Sequence, residues 1–189
     1  MKRGLKLTRT LTIIIAAAVA SQLAHWGAFA ADTSKTTTTS TSTLSKKDVH
    51  FINDAAEGGM MEIHMGELGQ QKGQSADVKS LAARLVSDHT KANDELKQLA
   101  SSKGVTLPSA LPDKHQKTLD KLSSSSDFDK AFKDMAIKDH KKDVKEFEHE
   151  LKRTDADPDL KSWTAKTLPV LQEHLRLAEQ LGVARTTKR

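Results

Sequence analysis

The sequence predicts an all-α protein whose core is a four-helix bundle, with one long connection between the second and third helices. Two observations support this fold class. From Ser45 onward, apolar residues recur at spacings of three and four, the period of amphipathic helices, and no run of alternating apolar and polar residues is long enough for a strand. Clusters of glycine, proline and serine then divide this region into four long helical segments and one short segment.

Residues 1–30 are predicted to be an export signal peptide. The segment MKRGLKLTR is basic, LTIIIAAAVASQLA is apolar but short for a membrane span, and AFA at 28–30 fits a cleavage site after Ala30. We therefore expect a periplasmic or secreted bacterial protein with no membrane span after cleavage. An association with the cell envelope and the identity of any protein partner stay open, as does the oligomeric state.

Charge and composition exclude several function classes. The predicted signal holds four of the 30 basic residues and no acidic residue, so 26 basic residues face 25 acidic ones in the rest of the chain. This near balance predicts no nucleic-acid partner. The chain contains no cysteine, which excludes disulfides, thiolate catalysis and zinc–thiolate sites.

The remaining chain divides into three parts. Residues 31–45 are rich in threonine and serine and are predicted to form a flexible linker, because such a composition cannot bury a core. Residues 46–182 are predicted to form the four-helix bundle domain, and residues 183–189 a disordered basic tail.

The helices of the bundle are predicted in order from their capping signals. The long helices cover 46–71, 76–103, 128–152 and 158–181, and a short helix covers 113–122. Ser45 with Asp48 forms a capping pair, Asp113 caps the short helix, and Pro158 occupies the first position of the last helix. Two short links and one long link indicate a ferritin-like bundle whose crossover carries the short helix. An up-down-up-down bundle is the alternative.

Each long helix places one ionisable residue on its apolar stripe. These residues are Glu62, His89, His140 and His174, in chain order. Glu62 and His89 lie about equally far from the first interhelical link, and His140 and His174 about equally far from the last. If those links lie at opposite ends of the bundle, all four side chains converge near its middle at about 1.5 Å of rise per residue.

Three imidazoles and one carboxylate form a ligand set suited to a first-row transition metal. The prediction is a single metal ion (zinc, copper, iron or manganese) bound by Glu62, His89, His140 and His174, with no other cofactor. Asp143, close to one turn after His140, is an additional candidate ligand. The competing interpretation is a metal-free polar cluster in which Glu62 pairs with protonated histidines.

An acidic residue immediately precedes each of the three histidines. Asp88, Asp139 and Glu173 are about 100° around the helix from the histidines that follow them, so they cannot share the same face. Either they are solvated, or each orients a histidine on a neighbouring helix. A surface pairing of Met60 with His64 is a further soft-metal candidate, although His64 is expected to face solvent.

The segments that carry these residues resemble the exported bacterial domain-of-unknown-function family numbered forty-one forty-two, over about residues 46–181. They read FINDAAEGGMMEIHMGELG, LVSDHTKANDELKQLA, LPDKHQKTLDKL, FDKAFKDMAIKDHKKDVKEFE and LKSWTAKTLPVLQEHLRLAE. The resemblance implies a ferritin-like fold and a periplasmic setting, and no established activity. Members of the family are often labelled outer membrane proteins, but neither a barrel pattern nor a lipid-anchoring cysteine is encoded here.

Three functional hypotheses follow. The first is a metal-binding bundle with a role in metal handling or envelope stress, and the second is a metal-free structural or envelope-interaction module. A ferritin-type oxidoreductase ranks third, because such enzymes carry Glu-x-x-His pairs, whereas Val86, Ile137 and Leu171 stand three residues before the histidines. The sequence therefore leans against an enzyme and leaves the question open.

Overall fold

The computed structural model describes residues 44–182, and every regular element within this range is helical. This range contains five helices: α1 (Lys46–Lys72), α2 (Ala76–Ser102), α3 (Asp113–Ser123), α4 (Phe128–Lys152) and α5 (Pro158–Gln180). The predicted all-α fold with a short helix in the long connection is confirmed. The predicted signal peptide and basic tail lie outside the described residues. So does the predicted linker, except for its last two residues.

The helices form two antiparallel hairpins, α1 with α2 and α4 with α5, which pack against each other. The α1–α2 turn lies beside the start of α4, where the Asp129 carboxylate accepts hydrogen bonds from the backbone N–H groups of Gln74 (2.9 Å) and Ser75 (2.8 Å). At the other end, Lys103 after α2 bonds Asp157 before α5 at 2.9 Å. The two turns therefore lie at opposite ends, and α2 runs parallel to α4.

This direction requires a connection that crosses the length of the bundle. The chain between α2 and α4 carries α3, which packs along α1 and α4. Its Leu119 and Leu122 are buried in the core. The arrangement is that of a ferritin-like bundle.

Most helix ends agree with the sequence prediction. The Ser45–Asp48 capping box is present, and Asp157 caps α5 directly before Pro158. The prediction that Asp113 caps α3 is wrong in detail. Pro112 occupies the capping position without a side-chain hydrogen bond, and Asp113 is the first helical residue, where its charge favours the positive end of the helix dipole.

The apolar core consists of two clusters with polar residues between them. One cluster, around Phe132, Leu85 and Met65, lies toward the α1–α2 turn. The other, around Ile52, Leu96 and Trp163, lies toward the α4–α5 turn. The four predicted ionisable residues are buried at the level between these clusters.

Close approach of α1 to its neighbours depends on glycine. A Cβ atom built on Gly66 would lie 2.7 Å from the Ala82 carbonyl oxygen, and one on Gly69 would lie 2.6 Å from the Ala82 Cβ and 2.7 Å from the Phe132 ring. All three distances are shorter than van der Waals contact. These glycines therefore allow α1 and α2 to pack more closely than side chains would permit.

A buried ion cluster fixes the opposite end of the bundle. The Arg153 guanidinium donates to Asp48 at 2.9 Å and to Glu150 at 2.9 Å, and all three side chains are at most 9% exposed. Asp48 belongs to the first turn of α1, whereas Arg153 follows α4, so the cluster joins the two helices. Among residues 44–182, none of the helices is both long and apolar enough to span a bilayer.

Candidate metal centre

The four ionisable side chains converge in the middle of the bundle, one from each long helix. His140 and His174 are fully buried, and Glu62 and His89 are 2% and 4% exposed. The centroids of the three imidazole rings lie 5.1 to 5.6 Å apart. One ring nitrogen from each histidine lies within 4.8 Å of the others.

The Glu62 carboxylate lies beside two of these rings. Its Oε2 is 3.1 Å from His89 Nδ1, and its Oε1 is 3.3 Å from His140 Nε2. The third ring is linked through His140, whose Nε2 lies 3.2 Å from His174 Nδ1. The structure thus brings together Glu62 and the three histidines that the sequence placed at one level.

The outer nitrogen of His140 is fixed by the backbone. His140 Nδ1 lies 2.9 Å from the carbonyl oxygen of Ala136, one turn earlier in α4. A carbonyl only accepts, so Nδ1 carries the proton and donates it. In the neutral ring, Nε2 is therefore left with its lone pair directed into the cluster.

The outer nitrogen of His174 is fixed by Asp88 on α2. His174 Nε2 lies 2.9 Å from Asp88 Oδ2, so Nε2–H donates to the carboxylate and Nδ1 keeps its lone pair. Of the two alternatives for the acids that precede the histidines, Asp88 thus takes the orienting role. Glu173 instead pairs with Arg84 and Arg176 at the surface.

Two ring lone pairs consequently face each other at 3.2 Å. Two such lone pairs repel unless a cation or a proton lies between them. Two ligand nitrogens at the 2.0–2.1 Å bond length of a zinc-type ion in tetrahedral geometry would be about 3.3 Å apart. The observed separation therefore fits adjacent positions around one metal ion.

His89 supplies a further nitrogen without a protein partner. Its Nδ1 contacts Glu62, whereas its Nε2 is buried and has no hydrogen bond among the described residues. A buried imidazole nitrogen without a partner is uncommon, because an unmade hydrogen bond costs about 1–3 kcal/mol. This imidazole, like those of His140 and His174, is free to act as a ligand.

Burial favours the neutral form of all three imidazoles. It lowers the pKa of His89 well below its usual value, with the neighbouring histidines adding to the effect, and it lowers that of His140 to about 4. Burial also lowers the pKa of His174, against an opposing effect of Asp88. Neutral imidazole is the form that binds metals. These directions disfavour the alternative in which Glu62 pairs with protonated histidines.

Two further carboxyl groups lie near Glu62 on the α4 side. Burial, assisted by Asp143 and Asp139, raises the pKa of Glu62 well above its usual value. Asp143 lies close enough to Glu62 to affect its pKa, and burial raises the pKa of Asp143 itself to about 7 against an opposing effect of Lys142. Asp143 is thus a neighbour of the Glu62 carboxyl group, and both acids lie outside the group of three mutually close histidines.

Asp139 is the residue that sequence reasoning described least well. The sequence predicts that Asp139 is solvated or orients a histidine, yet its Oδ2 is buried without a hydrogen-bond partner among residues 44–182, and burial raises its pKa. His64, by contrast, is exposed and bonds Glu67 at 2.9 Å, as expected for a solvent-facing residue.

A cavity of about 420 Å³ reaches the cluster from one end of the bundle. Glu62, His89 and Asp143 line its inner part, and Phe51, Phe147 and Trp163 are among its apolar walls. The candidate metal centre therefore has a space beside it that a solute could occupy.

The sequence matches the family model described as "Domain of unknown function (DUF4142)" over residues 33–181. The chain belongs to the DUF4142 family. This confirms the family predicted from the sequence segments. No curated protein matches the chain.

Solved structures show the same fold in distant proteins. A crystal structure of a DUF305 fragment from Deinococcus radiodurans aligns with a TM-score of 0.62 and 14% identity, over 72% of this chain and 95% of that one. CopM in its Cu(I)-bound form aligns with a TM-score of 0.60 and 21% identity, over 70% and 93%. Its Cu(II)-bound form gives a TM-score of 0.61 and 20% identity over the same shares. At these identities the likeness is one of fold.

Proposed function

We propose that this protein binds one transition-metal ion at the middle of its bundle, through His140 Nε2, His174 Nδ1, His89 and the Glu62 carboxylate. The observation that carries the proposal is the 3.2 Å contact between His140 and His174, each of which directs a lone pair at the other. A metal ion between them converts this repulsion into two coordinate bonds.

The donor set also ranks the metals. Imidazole nitrogens suit copper, zinc, iron and nickel, and affinity for a given site is highest for Cu²⁺ among the divalent first-row ions. Copper is therefore our first choice and zinc the second. That CopM, a protein of similar fold, has been solved with Cu(I) and Cu(II) is consistent with this order.

In this proposal the surrounding residues position the metal ligands. Asp88 and the Ala136 carbonyl hold the rings of His174 and His140 in the tautomers that bind metal. Asp143 acts as a hydrogen-bonding partner of Glu62. The role we favour is metal handling in the periplasm, where the predicted signal peptide would deliver the protein.

Elemental analysis of the protein purified from bacterial periplasm tests the proposal. We expect close to one metal ion per chain, a melting temperature that falls on chelation, and loss of both in a variant carrying His89→Ala and His174→Ala. The control is His64→Ala, which removes an exposed histidine away from the cluster. A metal-free protein whose melting temperature is unchanged by chelator would instead support the structural module.

A further inference from the structure

The cavity beside the candidate metal centre is bordered by one face of α1. Residues four apart on a helix lie above one another, and four such residues of α1 line the cavity. They are His50, Asp54, Gly58 and Glu62. The first two are exposed, and Glu62 is buried. This row therefore leads from the bundle surface to the metal centre, and 12 residues at 1.5 Å each make it about 18 Å long.

The facing helix α4 supplies a second row in the opposite direction. His149, Glu146 and Asp143 line the same cavity, with His149 and Glu146 exposed and Asp143 largely buried. Because α1 and α4 are antiparallel, His149 lies near the level of His50, and Glu146 near that of Asp54. At the exposed end of the cavity, both helices thus present side chains that can bind a metal.

We propose that this cavity is the route by which the metal cation reaches the buried centre, with His50, Asp54, Glu146 and His149 as its outer capture site. The inference rests on the proposed metal binding and adds the path of loading to it. Carboxylates and imidazoles in two facing rows would pass a divalent cation inward between oxygen and nitrogen ligands. The exposed carboxylates of Asp54 and Glu146 at the outer end of the cavity would also raise the local concentration of cations.

Several cationic side chains lie near the mouth, and most of them are paired with acidic groups. Lys47 pairs with Asp155 at 3.3 Å, and Arg153 is held by Asp48 and Glu150. Lys142 bonds Glu146 at 3.0 Å and would be displaced from it by a divalent ion. Lys145 also borders the cavity, with an exposed side chain that can extend into solvent.

Gly58 lies along the route and provides the means to block it. A Cβ atom built on Gly58 meets nothing within 4 Å, so the space in front of this residue is open. A large side chain can therefore occupy the cavity without displacing the backbone. Replacing a glycine within a helix also favours folding, by about 1 kcal/mol for alanine.

The test is the rate of Cu²⁺ uptake by the metal-free protein, followed by stopped flow with a chromophoric chelator that reports free copper. We expect Gly58→Phe to slow uptake by an order of magnitude or more, since loading then requires the chain to open. Its equilibrium affinity for copper should stay close to that of the wild type. Gly58→Ala is the matched control and should load at the wild-type rate.

A second variant tests the outer capture site by charge. Asp54→Asn with Glu146→Gln should slow uptake by about tenfold at low ionic strength, with less effect at high salt. Asp134→Asn, which removes an exposed acid paired with Lys130 elsewhere on α4, should leave the rate unchanged.

The outcomes separate this inference from the proposed function. If the wild type binds neither Cu²⁺ nor Zn²⁺ tightly, the metal-binding proposal fails and takes the route with it. If the wild type binds copper and folded Gly58→Phe loads as fast as Gly58→Ala, the route through this cavity is wrong and the metal centre stands. Circular dichroism of each variant establishes that it is folded.

Discussion

His140 Nε2 lies 3.2 Å from His174 Nδ1, and in the neutral rings both nitrogens carry lone pairs because the opposite nitrogen of each ring donates to a fixed acceptor. The acceptors are the Ala136 carbonyl and the Asp88 carboxylate. The two rings thus have their protons on the outside and their electron pairs on the inside. Neutral rings in this arrangement are mutually repulsive until a cation lies between them.

Removing one of these two rings should abolish tight metal binding and the stabilisation that accompanies it. In the wild type, Cu²⁺ at a thousandfold excess over its dissociation constant stabilises the fold by about 4 kcal/mol. For His140→Gln, which keeps a polar side chain of similar length, we expect almost no shift of the melting temperature with Cu²⁺. Differential scanning calorimetry with and without copper checks this, and an unchanged shift in His140→Gln would contradict the assignment.

Asp88→Asn should weaken binding without removing a ligand. The asparagine can accept less strongly from His174 Nε2–H, so the ring loses both orientation and basicity. Loss of such a partner typically lowers metal affinity by about 10- to 100-fold. Competition titration against a chelator of known affinity measures the change. Glu173→Gln is the control, because Glu173 pairs with arginines at the surface and should give wild-type affinity.

The pH dependence of the metal-free protein should change in Asp143→Asn. Burial raises the pKa of Asp143 to about 7 in the folded protein, above the usual 3.8. Between these values the folded state holds the extra proton, so this group's contribution to stability falls as pH rises, by up to about 1.4 kcal/mol per pH unit. Asparagine does not titrate, so the Asp143→Asn variant does not lose stability in this way as pH rises.

Urea unfolding in the presence of chelator provides the comparison. The free energy of unfolding of Asp143→Asn relative to wild type should increase from pH 4 to pH 7 and then level off. The lowered pKa values of the histidines act in the opposite direction in both proteins and cancel in the difference. A relative stability that does not vary with pH would show that Asp143 is not held in a desolvated position.

Adding a methyl group at Gly69 should destabilise the bundle. The new Cβ would lie 2.6 Å from the Ala82 Cβ and 2.7 Å from the Phe132 ring. Overpacking of this kind costs about 1–3 kcal/mol. Gly58→Ala is the matched control in the same helix. The space beside Gly58 is open, so this change is predicted to increase stability. Chemical denaturation of both variants checks the pair, and equal stabilities would refute the close-packing argument.

The buried ion cluster gives a further prediction. Arg153→Met leaves Asp48 and Glu150 buried without their shared partner, which should destabilise the protein by about 3–5 kcal/mol. Lys47→Met removes an exposed pair with Asp155 and should change stability by less than about 1 kcal/mol. Thermal unfolding measures both effects. Similar effects of the two changes would contradict the conclusion that the buried ion cluster stabilises the fold.

The sequence predicts the fold and the four central residues because periodicity reports which face of a helix is buried. Glu62, His89, His140 and His174 each interrupt an apolar stripe, and their equal distances from the interhelical links place them at one level. Helix bounds differ by at most one residue, since serine, aspartate and proline mark the ends. Asp88 could be proposed as an orienting residue for the same reason.

Features that depend on how the helices lean toward one another could not be predicted. The cavity between α1 and α4 reflects a local separation of two helices that the heptad pattern treats as packed. The Arg153 ion cluster likewise joins residues that lie far apart in the chain, which no sequence spacing encodes. The burial of Asp139 could not be predicted from spacing either. The choice of Ala136 as acceptor for His140 follows the i to i−4 geometry of a helix and could have been inferred.

X-ray absorption spectroscopy of the protein loaded with one equivalent of Cu²⁺ tests the central claim most directly. We predict first-shell nitrogen or oxygen scatterers at about 2.0 Å with the outer-shell signature of three imidazoles, decreasing to two in His174→Ala. A spectrum with one imidazole or none, or one that is unchanged in His174→Ala, would contradict a metal ion held between His140 and His174.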